Sequence, residues 1–486
     1  MVGPYIDRRE FFAGACRLGT GFVGLKHFVS RVAAGTGGAD RASPQSHPLN
    51  EVPGYGPLTR DPLGILDLPK GFSYRVLSRT GEFMSDGLRI PGMPDGMAAF
   101  SGGLGKTILL RNHELERTDV FNSAYGLGNA LLRRVGKARF YDLADDVLPH
   151  LGGVSTVVYD HFSGRVEKQF MSLAGTLRNC AGGPTPWGSW ITCEETVEKK
   201  GSDSNRQDHG YNFEVPASME ARLYEPVPLK AMGRFRHEAV AVDARSGVVY
   251  QTEDLADGLI YRFLPNEPSR LSRGGRLQAL KISERPQCDT RNWKPEQGEE
   301  ASPGFMPFEE NRRFQTEWLD LDEVDSPEDD LRLRGREKGA AVFARGEGMW
   351  AGHGYVYWAC TNGGAEKRGQ VFRYRPSPNE GGPLESGNPG ELELFVESKD
   401  AAMLEFCDNL TVAPWGDVVL SEDGPEVQYL RVISPHGKLF TLGRNRLNKS
   451  EMAGCCFAPD HPTLFVNIQR PGMTLAITGP WMRRST

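Results

Sequence analysis

The sequence lacks the cysteine patterns that mark metal frameworks and disulfide scaffolds. Its eight cysteines, at positions 16, 180, 193, 288, 360, 407, 455 and 456, include no CxxC pair and follow no regular spacing. Neither a zinc framework nor a disulfide-dense domain is therefore indicated. Adjacent cysteines seldom bond to each other, so Cys455 and Cys456 are expected to be packed rather than bonded.

The sequence also lacks an excess of positive charge and long apolar runs. The formal net charge is −6 and the acidic residues are dispersed, which excludes a basic face for nucleic acid or an anionic membrane and favours cations and small molecules as partners. No stretch after residue 35 approaches 18 consecutive apolar residues, so no stable membrane insertion of the body is expected. The GxSxG motif of serine hydrolases is absent as well.

Turn-forming and aromatic residues, by contrast, are abundant. The chain has 58 glycines and 33 prolines, yet 24 Phe, 14 Tyr and 8 Trp remain to fill a core. Short runs of β-branched and aromatic residues recur between turns, and several end in acidic or amide residues, as in RNHE, TCEE, QTED, LSED and VNIQ. This pattern predicts an all-β fold and favours a β-propeller, in which strands from several blades offer ligands to one central channel. A sandwich or two sheet domains is the alternative.

The N-terminal stretch predicts export. Arg8 and Arg9 stand one residue before Phe11 and Phe12, and Ala34 follows a small, moderately apolar stretch. Residues 1–34 are therefore interpreted as a twin-arginine-type export signal of a periplasmic or secreted protein. An amphipathic N-terminal helix is the alternative. Residues 35–62 are expected to form an extended lead-in, and residues 63–486 a single propeller domain. A short helical insertion is expected within 126–149, and a solvated loop or a surface helix in the charge-rich part of 285–340.

The stretch RNCAGGPTPWGSWITCEE, residues 178–195, carries the strongest chemical signal. Two glycines and two prolines preset the turn beside Cys180 and leave this cysteine little freedom, as a thiolate ligand of iron or zinc requires. A small buried apolar residue is the alternative interpretation of Cys180. In a regular strand Glu194 and Glu195 diverge, so only one of them faces a shared site.

Other candidate donors lie near predicted strand boundaries. Arg345 and Glu347 in ARGEG would share one strand face, where an anion-binding guanidinium stands beside a metal-binding carboxylate; a surface salt bridge is the alternative. Hard oxygen donors of the kind that calcium accepts occur in five motifs, namely RNHE (Asn112, His113, Glu114), RHEA (His237, Glu238), QTED (Glu253, Asp254), CDN (Asp408, Asn409) and SED (Glu422, Asp423).

Taken together, these motifs resemble those of the PhoX-type alkaline phosphatases, which are secreted six-bladed β-propellers that use iron and calcium. The resemblance spans about residues 63–475 and rests on LLRNHE, GGVST, the 178–195 stretch, GRFRHEA, YQTED, ARGEG, FCDNL and EMAGCCFAPD, in that order. The long motif with its single cysteine is the most distinctive. The form CAGGP and the compact region after TCEE resemble a shorter branch of the family, in which calcium sites supplied by longer loops would be missing.

The resemblance implies a site and an activity. Cys180 matches the iron-ligating cysteine of the family, Glu238 and Glu347 match acidic metal ligands, and Arg345 matches the arginine that contacts phosphate. The resemblance further implies iron or calcium ligands at Glu114, Glu194, Glu195 and Glu253. With Arg345, Glu347 and Cys180 as catalytic residues, the implied activity is hydrolysis of a small-molecule phosphate monoester.

Two alternatives stay open at the level of sequence. A calcium-dependent propeller lactonase or phosphodiesterase would also use Glu, Asn and Asp in a channel, although a thiolate ligand argues against it. A binding propeller that keeps metals only for stability would carry the same donors without catalysis.

Overall fold

The structure is a computed structural model that describes residues 48–144, 149–202, 204–294 and 306–482. The predicted export signal and the first part of the predicted lead-in lie outside these ranges. Within them the protein is all-β, as expected, with a single α-helix, α1 (Leu331–Lys338). None of the helices in these ranges has the length and apolar character needed to cross a membrane.

The strands, numbered β1 to β26 in chain order, form five antiparallel sheets in the described part of the chain. In spatial order, one sheet contains β1 (Leu58–Thr59), β2 (Leu66–Pro69), β23 (Leu439–Asn445), β22 (Tyr429–Ile433), β21 (Val418–Glu422) and β20 (Cys407–Val412). The second contains β4 (Pro94–Gly103), β5 (Lys106–His113), β6 (Gly152–Asp160) and β7 (Arg165–Thr176). The third contains β10 (Asn212–Pro216), β9 (Ser189–Glu194) and β8 (Asn179–Pro184).

The fourth and fifth sheets complete the set. The fourth contains β24 (Met452–Phe457), β25 (Thr463–Ile468), β26 (Met473–Thr478) and β3 (Ser73–Arg79). The fifth has nine strands, β11 (His237–Val242), β12 (Val249–Glu253), β13 (Ile260–Pro265), β14 (Gly275–Ile282), β15 (Arg313–Leu321), β19 (Glu391–Glu397), β18 (Gln370–Arg375), β17 (Tyr355–Cys360) and β16 (Gly346–Gly352). Short 3-10 turns lie at Val120–Asn122, Leu127–Asn129, Leu132–Arg134, Lys137–Arg139, Lys230–Met232, Leu271–Arg273 and Glu385–Gly387.

Six strands meet around one axis and give the fold its propeller-like arrangement. Strands β4, β8, β11, β16, β20 and β24 contact one another in this order, and β24 contacts β4 to close the circle. We call these six strands the inner ring. Residues from all six line one small cavity of about 10 Å³. The fourth sheet joins distant parts of the described chain, because β3 (Ser73–Arg79) pairs with β26 (Met473–Thr478) at its edge.

Packing on both faces explains why many strands are continuously apolar. In β17, Val356, Trp358 and Cys360 belong to one hydrophobic core, whereas the alternating residues Tyr357 and Ala359 belong to another. Successive side chains of a strand point to opposite faces, so a sheet between two neighbouring sheets needs apolar residues at every position. This packing positions the inner ring.

The polar region 285–340 contains a strand, β15, that its composition does not indicate. Strand β15 pairs with β14 on one side and with β19 on the other, and so joins two four-stranded groups into the nine-stranded sheet. Its Phe314 and Thr316 are buried while Arg313, Gln315 and Glu317 are exposed. Helix α1 lies in the charge-rich stretch, where a loop or a surface helix was expected, and the described part of 126–149 contains short 3-10 turns.

Candidate metal centre

Every strand of the inner ring carries a β-bulge close to its start. The register shifts after the pairs Pro94↔His113, Asn179↔Glu194, His237↔Glu253, Gly346↔Cys360, Cys407↔Glu422 and Ala453↔Asn467. A bulge places two residues of one strand opposite a single residue of its partner and changes the direction of the side chains that it contains. In five of the six strands the first bulged residue is a carboxylate or a thiol, namely Asp95, Cys180, Glu238, Glu347 and Asp408.

A second set of donors comes from the ends of the neighbouring strands. The backbone N–H of Glu114 donates to the carbonyl oxygen of Met93 at 2.9 Å, and that of Glu195 donates to Arg178 at 3.0 Å. The same contact joins Asp423 to Phe406 at 2.9 Å. Each antiparallel partner ends where its inner strand begins, so Glu114, Glu195 and Asp423, which directly follow β5, β9 and β21, lie beside the bulged donors.

These donors form a continuous chain of overlapping groups, in each of which one ligand atom per residue lies within 4.8 Å of the others. The groups are Asp95 with Glu114 and Cys180, Cys180 with Glu195 and Glu238, Glu238 with Glu347 and Asp408, and Asp408 with Asp423 and Glu451. We call these nine residues the acidic cluster. Consecutive groups share Cys180, Glu238 and Asp408, so the cluster can hold more than one cation around the axis.

The protein compensates only part of the charge of the acidic cluster. Both carboxylate oxygens of Glu238 and Oδ1 of Asp95 are buried without a hydrogen-bond partner. Burial, followed by repulsion from neighbouring carboxylates, raises the pKa of Glu238 and Asp95 well above their usual range and raises the pKa of the Cys180 thiol likewise. Burial also raises the pKa of Asp408 to about 7 and that of Glu195 to about 8. Buried like charges of this density fit bound cations, since unpaired they would be strongly destabilising.

Two arginines border the cluster. Arg345 binds Asp254 through two hydrogen bonds of 2.7 and 2.9 Å, and its Nη2 lies 2.9 Å from Oε1 of Glu347, while 41% of its side chain stays exposed. Arg178 contacts Glu195 at 2.6 Å and Glu114 at 3.4 Å. Both arginines have left-handed backbone, with φ of 50°, two residues before a bulged donor. An anion that reached the cluster would meet both guanidinium groups.

The structure brings most of the predicted site residues together. Cys180, Glu114, Glu195, Glu238 and Glu347 all belong to the acidic cluster, and Arg345 contacts it through Glu347. The close approach of Cys180 and Glu238 and of Glu238 and Glu347 is the arrangement that a shared metal site requires.

Glu194 and Glu253 lie outside the acidic cluster. Glu194 accepts hydrogen bonds from the backbone N–H of Leu177 and Gly210, both at 2.9 Å, and lies 2.7 Å from Nδ1 of His209. Glu253 accepts from the Tyr261 hydroxyl at 2.8 Å. The second residue of each acidic pair takes the position beside the inner ring instead: Glu195 enters the cluster and Asp254 holds Arg345.

Sequence reasoning missed Asp95, Glu451 and Arg178. The signal that could have found Asp95 is an acidic residue or cysteine followed by a small residue at the start of an inner strand, as in Asp95-Gly96, Cys180-Ala181 and Glu347-Gly348. The small residue is needed because the inner strands touch: a Cβ on Gly96 would stand 2.5 Å from Cα of Ala181.

A cavity of about 670 Å³ lies away from the acidic cluster. It is found where β11 and β16 end, and it is lined by Val242, Gly352, His353 and other residues outside the cluster. The described cysteines are all free thiols, and Cys455 and Cys456 are buried, so their expected packing without a bond is confirmed.

The fold and the site define a propeller-like protein whose inner strands gather candidate metal ligands at one end of the ring. The sequence model of the family described as "Alkaline phosphatase PhoX" matches residues 53–472. The chain therefore belongs to the PhoX alkaline phosphatase family, as its motifs indicated, and is a phosphatase.

The solved structure of a PhoX protein agrees with the fold. PhoX from Pseudomonas fluorescens, solved in complex with vanadate, a transition state analogue, superposes with a TM-score of 0.63 at 18% identity, covering 90% of this chain and 98% of that one. A gluconolactonase from Xanthomonas campestris gives a TM-score of 0.40 at 11% identity, covering 89% of this chain and 100% of the other. No match was found among curated proteins.

Proposed function

We propose that this phosphatase hydrolyses small-molecule phosphate monoesters at the acidic cluster, with iron and calcium as its metals. The observation that carries the proposal is the convergence of Cys180 and eight carboxylates on one end of the inner ring, with Arg345 beside them. The solved relative from Pseudomonas fluorescens holds vanadate as a transition state analogue, which supports attack at phosphorus as the reaction of the family.

We also propose that the fold is a six-bladed propeller. The six strands of the inner ring would each open one blade, and the nine-stranded sheet would be two blades joined by β15. In the blade that closes the ring, β3 would supply the outer strand, which ties the two ends of the chain together.

The donor types suit the two metals at different ends of the cluster. Cys180, with Asp95, Glu114, Glu195 and Glu238 around it, offers the sulfur and oxygen ligands that suit iron. Asp408, Asp423 and Glu451 offer only oxygen, which suits calcium. Bound metals would neutralise negative charge on the phosphoryl oxygens and lower the pKa of the attacking water.

The protein's own part is to bind and orient the phosphate. Arg345 is half-exposed, so its guanidinium can donate to non-bridging phosphate oxygens, and Asp254 fixes the plane of that group by two hydrogen bonds. Arg178 borders the other side of the cluster through Glu195. Charge held in place before the reaction stabilises the transition state without reorganisation, which is the main need in phosphoryl transfer.

The test compares three substrates in metal-loaded protein with and without a calcium chelator. An aryl phosphate monoester should be hydrolysed, and chelation should abolish that turnover. Preference for an aryl diester or a lactone would replace the proposal with a phosphodiesterase or a lactonase. Absence of turnover on all three in fully metal-loaded protein would indicate a binding propeller.

Replacing an arginine beside the acidic cluster and an arginine on the surface separates a catalytic role from an effect of surface charge. Arg345→Ala should lower kcat/KM for the monoester about 10²-fold or more. The matched control is Arg276→Ala, because Arg276 also pairs with an aspartate, Asp320, but is 59% exposed and lies outside the acidic cluster. Equal activity of the two variants would overturn the role of Arg345.

We further propose that the protein is exported folded by the twin-arginine machinery and acts in the periplasm or outside the cell. Arg8 and Arg9 support this proposal. Replacing both with lysine should retain the protein in the cytoplasm, as measured by cell fractionation. Unchanged export of the double variant would contradict it.

A further inference from the structure

A second group of metal-ligating side chains lies apart from the acidic cluster. Asp142, His150 and His209 each place one ligand atom within 4.8 Å of the others, and all three side chains are buried. Nε2 of His209 lies 3.4 Å from Oδ2 of Asp142, and Nε2 of His150 lies 3.8 Å from the same oxygen. We call these residues the histidine site. None of them is a member of the acidic cluster.

His150 is the residue that an ion pair alone does not explain. It is 0% exposed, and neither of its ring nitrogens has a hydrogen-bond partner. A charged His209 between Asp142 and Glu194 would satisfy those three residues but leave the imidazole of His150 buried with two unmet polar atoms. Such a group is costly unless a ligand completes it.

From this geometry we infer that Asp142, His150 and His209 bind a divalent transition metal ion, with zinc the best match. Two imidazole nitrogens and one carboxylate oxygen are common zinc ligands, and ligand atoms bonded to one tetrahedral zinc ion stand about 3.4 Å apart. The observed separations of 3.4 and 3.8 Å need only small adjustment to reach this value.

The surrounding residues orient the ligands as the neighbours of metal sites do. Nδ1 of His209 lies 2.7 Å from Oε1 of Glu194, so with a metal ion bound the proton would stay on Nδ1 and Nε2 would offer its lone pair to the ion. Oδ2 of Asp142 accepts from the backbone N–H of Arg206 at 2.8 Å and Gln207 at 2.9 Å. The carboxylates of Asp142 and Glu194 together balance the two charges of a divalent cation.

The site is structural rather than catalytic, because it is closed to solvent. Its ligands come from the segment that follows the 3-10 turns after β5 and from the loop between β9 and β10. The metal therefore ties these two segments together behind Glu194, whose neighbour Glu195 belongs to the acidic cluster. This inference does not depend on the proposed function, since it concerns other residues and another ion.

Anomalous diffraction from crystals of the full chain, purified from zinc-supplemented medium, tests the site directly. Data on either side of the zinc edge should show a peak within about 2.0–2.2 Å of His150 Nε2, His209 Nε2 and an Asp142 carboxylate oxygen. Absence of a peak at this position would overturn the inference, whatever metals occupy the acidic cluster.

Metal analysis of variants gives an independent measure. His150→Gln should lose one equivalent of zinc by mass spectrometry while keeping the iron and calcium content of the wild type. The control His353→Gln, at an exposed histidine, should keep all metals. Equal zinc content in the two variants would contradict the site, and should His150→Gln fail to fold, the anomalous data on the wild type still decide.

Discussion

The adjacent residues Glu194 and Glu195 contact the histidine site and the acidic cluster respectively, and the two sites treat buried charge in opposite ways. Glu195 enters the acidic cluster, where like charges meet and some oxygens have no partner, whereas Glu194 is bonded to His209 and to backbone N–H groups. In the histidine site Asp142 and His209 have hydrogen-bond partners and His150 lacks them, whereas in the acidic cluster carboxylates face one another and Glu238 has no partner. The acidic cluster therefore leaves much of its charge to be balanced by cations, whereas the histidine site obtains most of its hydrogen bonds from the protein.

Removing the thiol should have the largest effect and should affect only the acidic cluster. Cys180→Ala is expected to abolish the visible absorption band of iron bound to a thiolate and to lower kcat about 10²-fold or more, because one ligand is lost at the point where two donor groups meet. The measurements are absorption spectroscopy and steady-state kinetics. The control is Cys193→Ala, a buried thiol outside the cluster. An unchanged band in Cys180→Ala would show that sulfur is not a ligand.

Removing the metals should next expose the repulsion within the acidic cluster. In the folded protein the pKa of Asp408 is about 7 and that of Glu195 about 8, whereas unfolded Asp and Glu ionise near pH 4. The folded state therefore holds protons that the unfolded state has lost, and the stability that these groups contribute disappears as the pH rises from about 4 to 8.

The melting temperature of chelator-treated protein should accordingly fall over this pH range, while that of metal-loaded protein should change much less. Thermal unfolding followed by circular dichroism at pH 5 and pH 8 measures both. A chelated protein as stable at pH 8 as at pH 5 would mean that the carboxylates are compensated without metal.

Two adjacent isosteric changes should separate the sites. Glu195→Gln is expected to lower phosphatase activity by about 10-fold or more, because a ligand and the partner of Arg178 are lost. Glu194→Gln should instead lower the free energy of unfolding by about 1–3 kcal/mol, since an amide cannot replace all the hydrogen bonds that the carboxylate accepts. Kinetics and urea unfolding of both variants make the measurement. Reversed outcomes would exchange the roles of the two residues.

The smallest expected effect tests the close packing that holds the acidic cluster. A Cβ on Gly348 would stand 2.7 Å from Cα of Asn409 on the next inner strand, so Gly348→Ala should cost about 1–3 kcal/mol. Gly387→Ala is the matched control, because a Cβ there meets nothing within 4 Å. Urea unfolding compares the two variants, and equal stabilities would show that the inner strands can separate without cost.

The sequence predicted the residue types of the site better than their positions. The 178–195 motif was distinctive enough to identify Cys180, and Arg345 and Glu347 followed from their spacing within a short strand and from the family resemblance. Asp95 and Glu451 were missed because single acidic residues at strand starts are common. The feature that Asp95 shares with Cys180, Glu238, Glu347 and Asp408 is a bulge, which depends on pairing with another strand and is only weakly visible in the sequence, as a donor residue before a small one.

The sequence likewise predicted the class of the fold better than the position of every strand. Apolar strands between turns predicted the all-β class, yet β15 was hidden in a charge-rich stretch because its exposed face is polar and only every second residue is buried. The nine-stranded sheet could not be predicted from the spacing of strands along the sequence, because insertions of different length separate the inner strands.

By itself, the sequence determined the all-β class, the family and most of the donors, because these depend on local composition and on short motifs. Only the tertiary structure decided which member of each acidic pair faces the ring, that six bulged strands converge on one axis, and that Asp142, His150 and His209 meet. These features depend on contacts between residues far apart in the chain, and a β-strand fixes the alternation of its side chains but not the neighbours they will face.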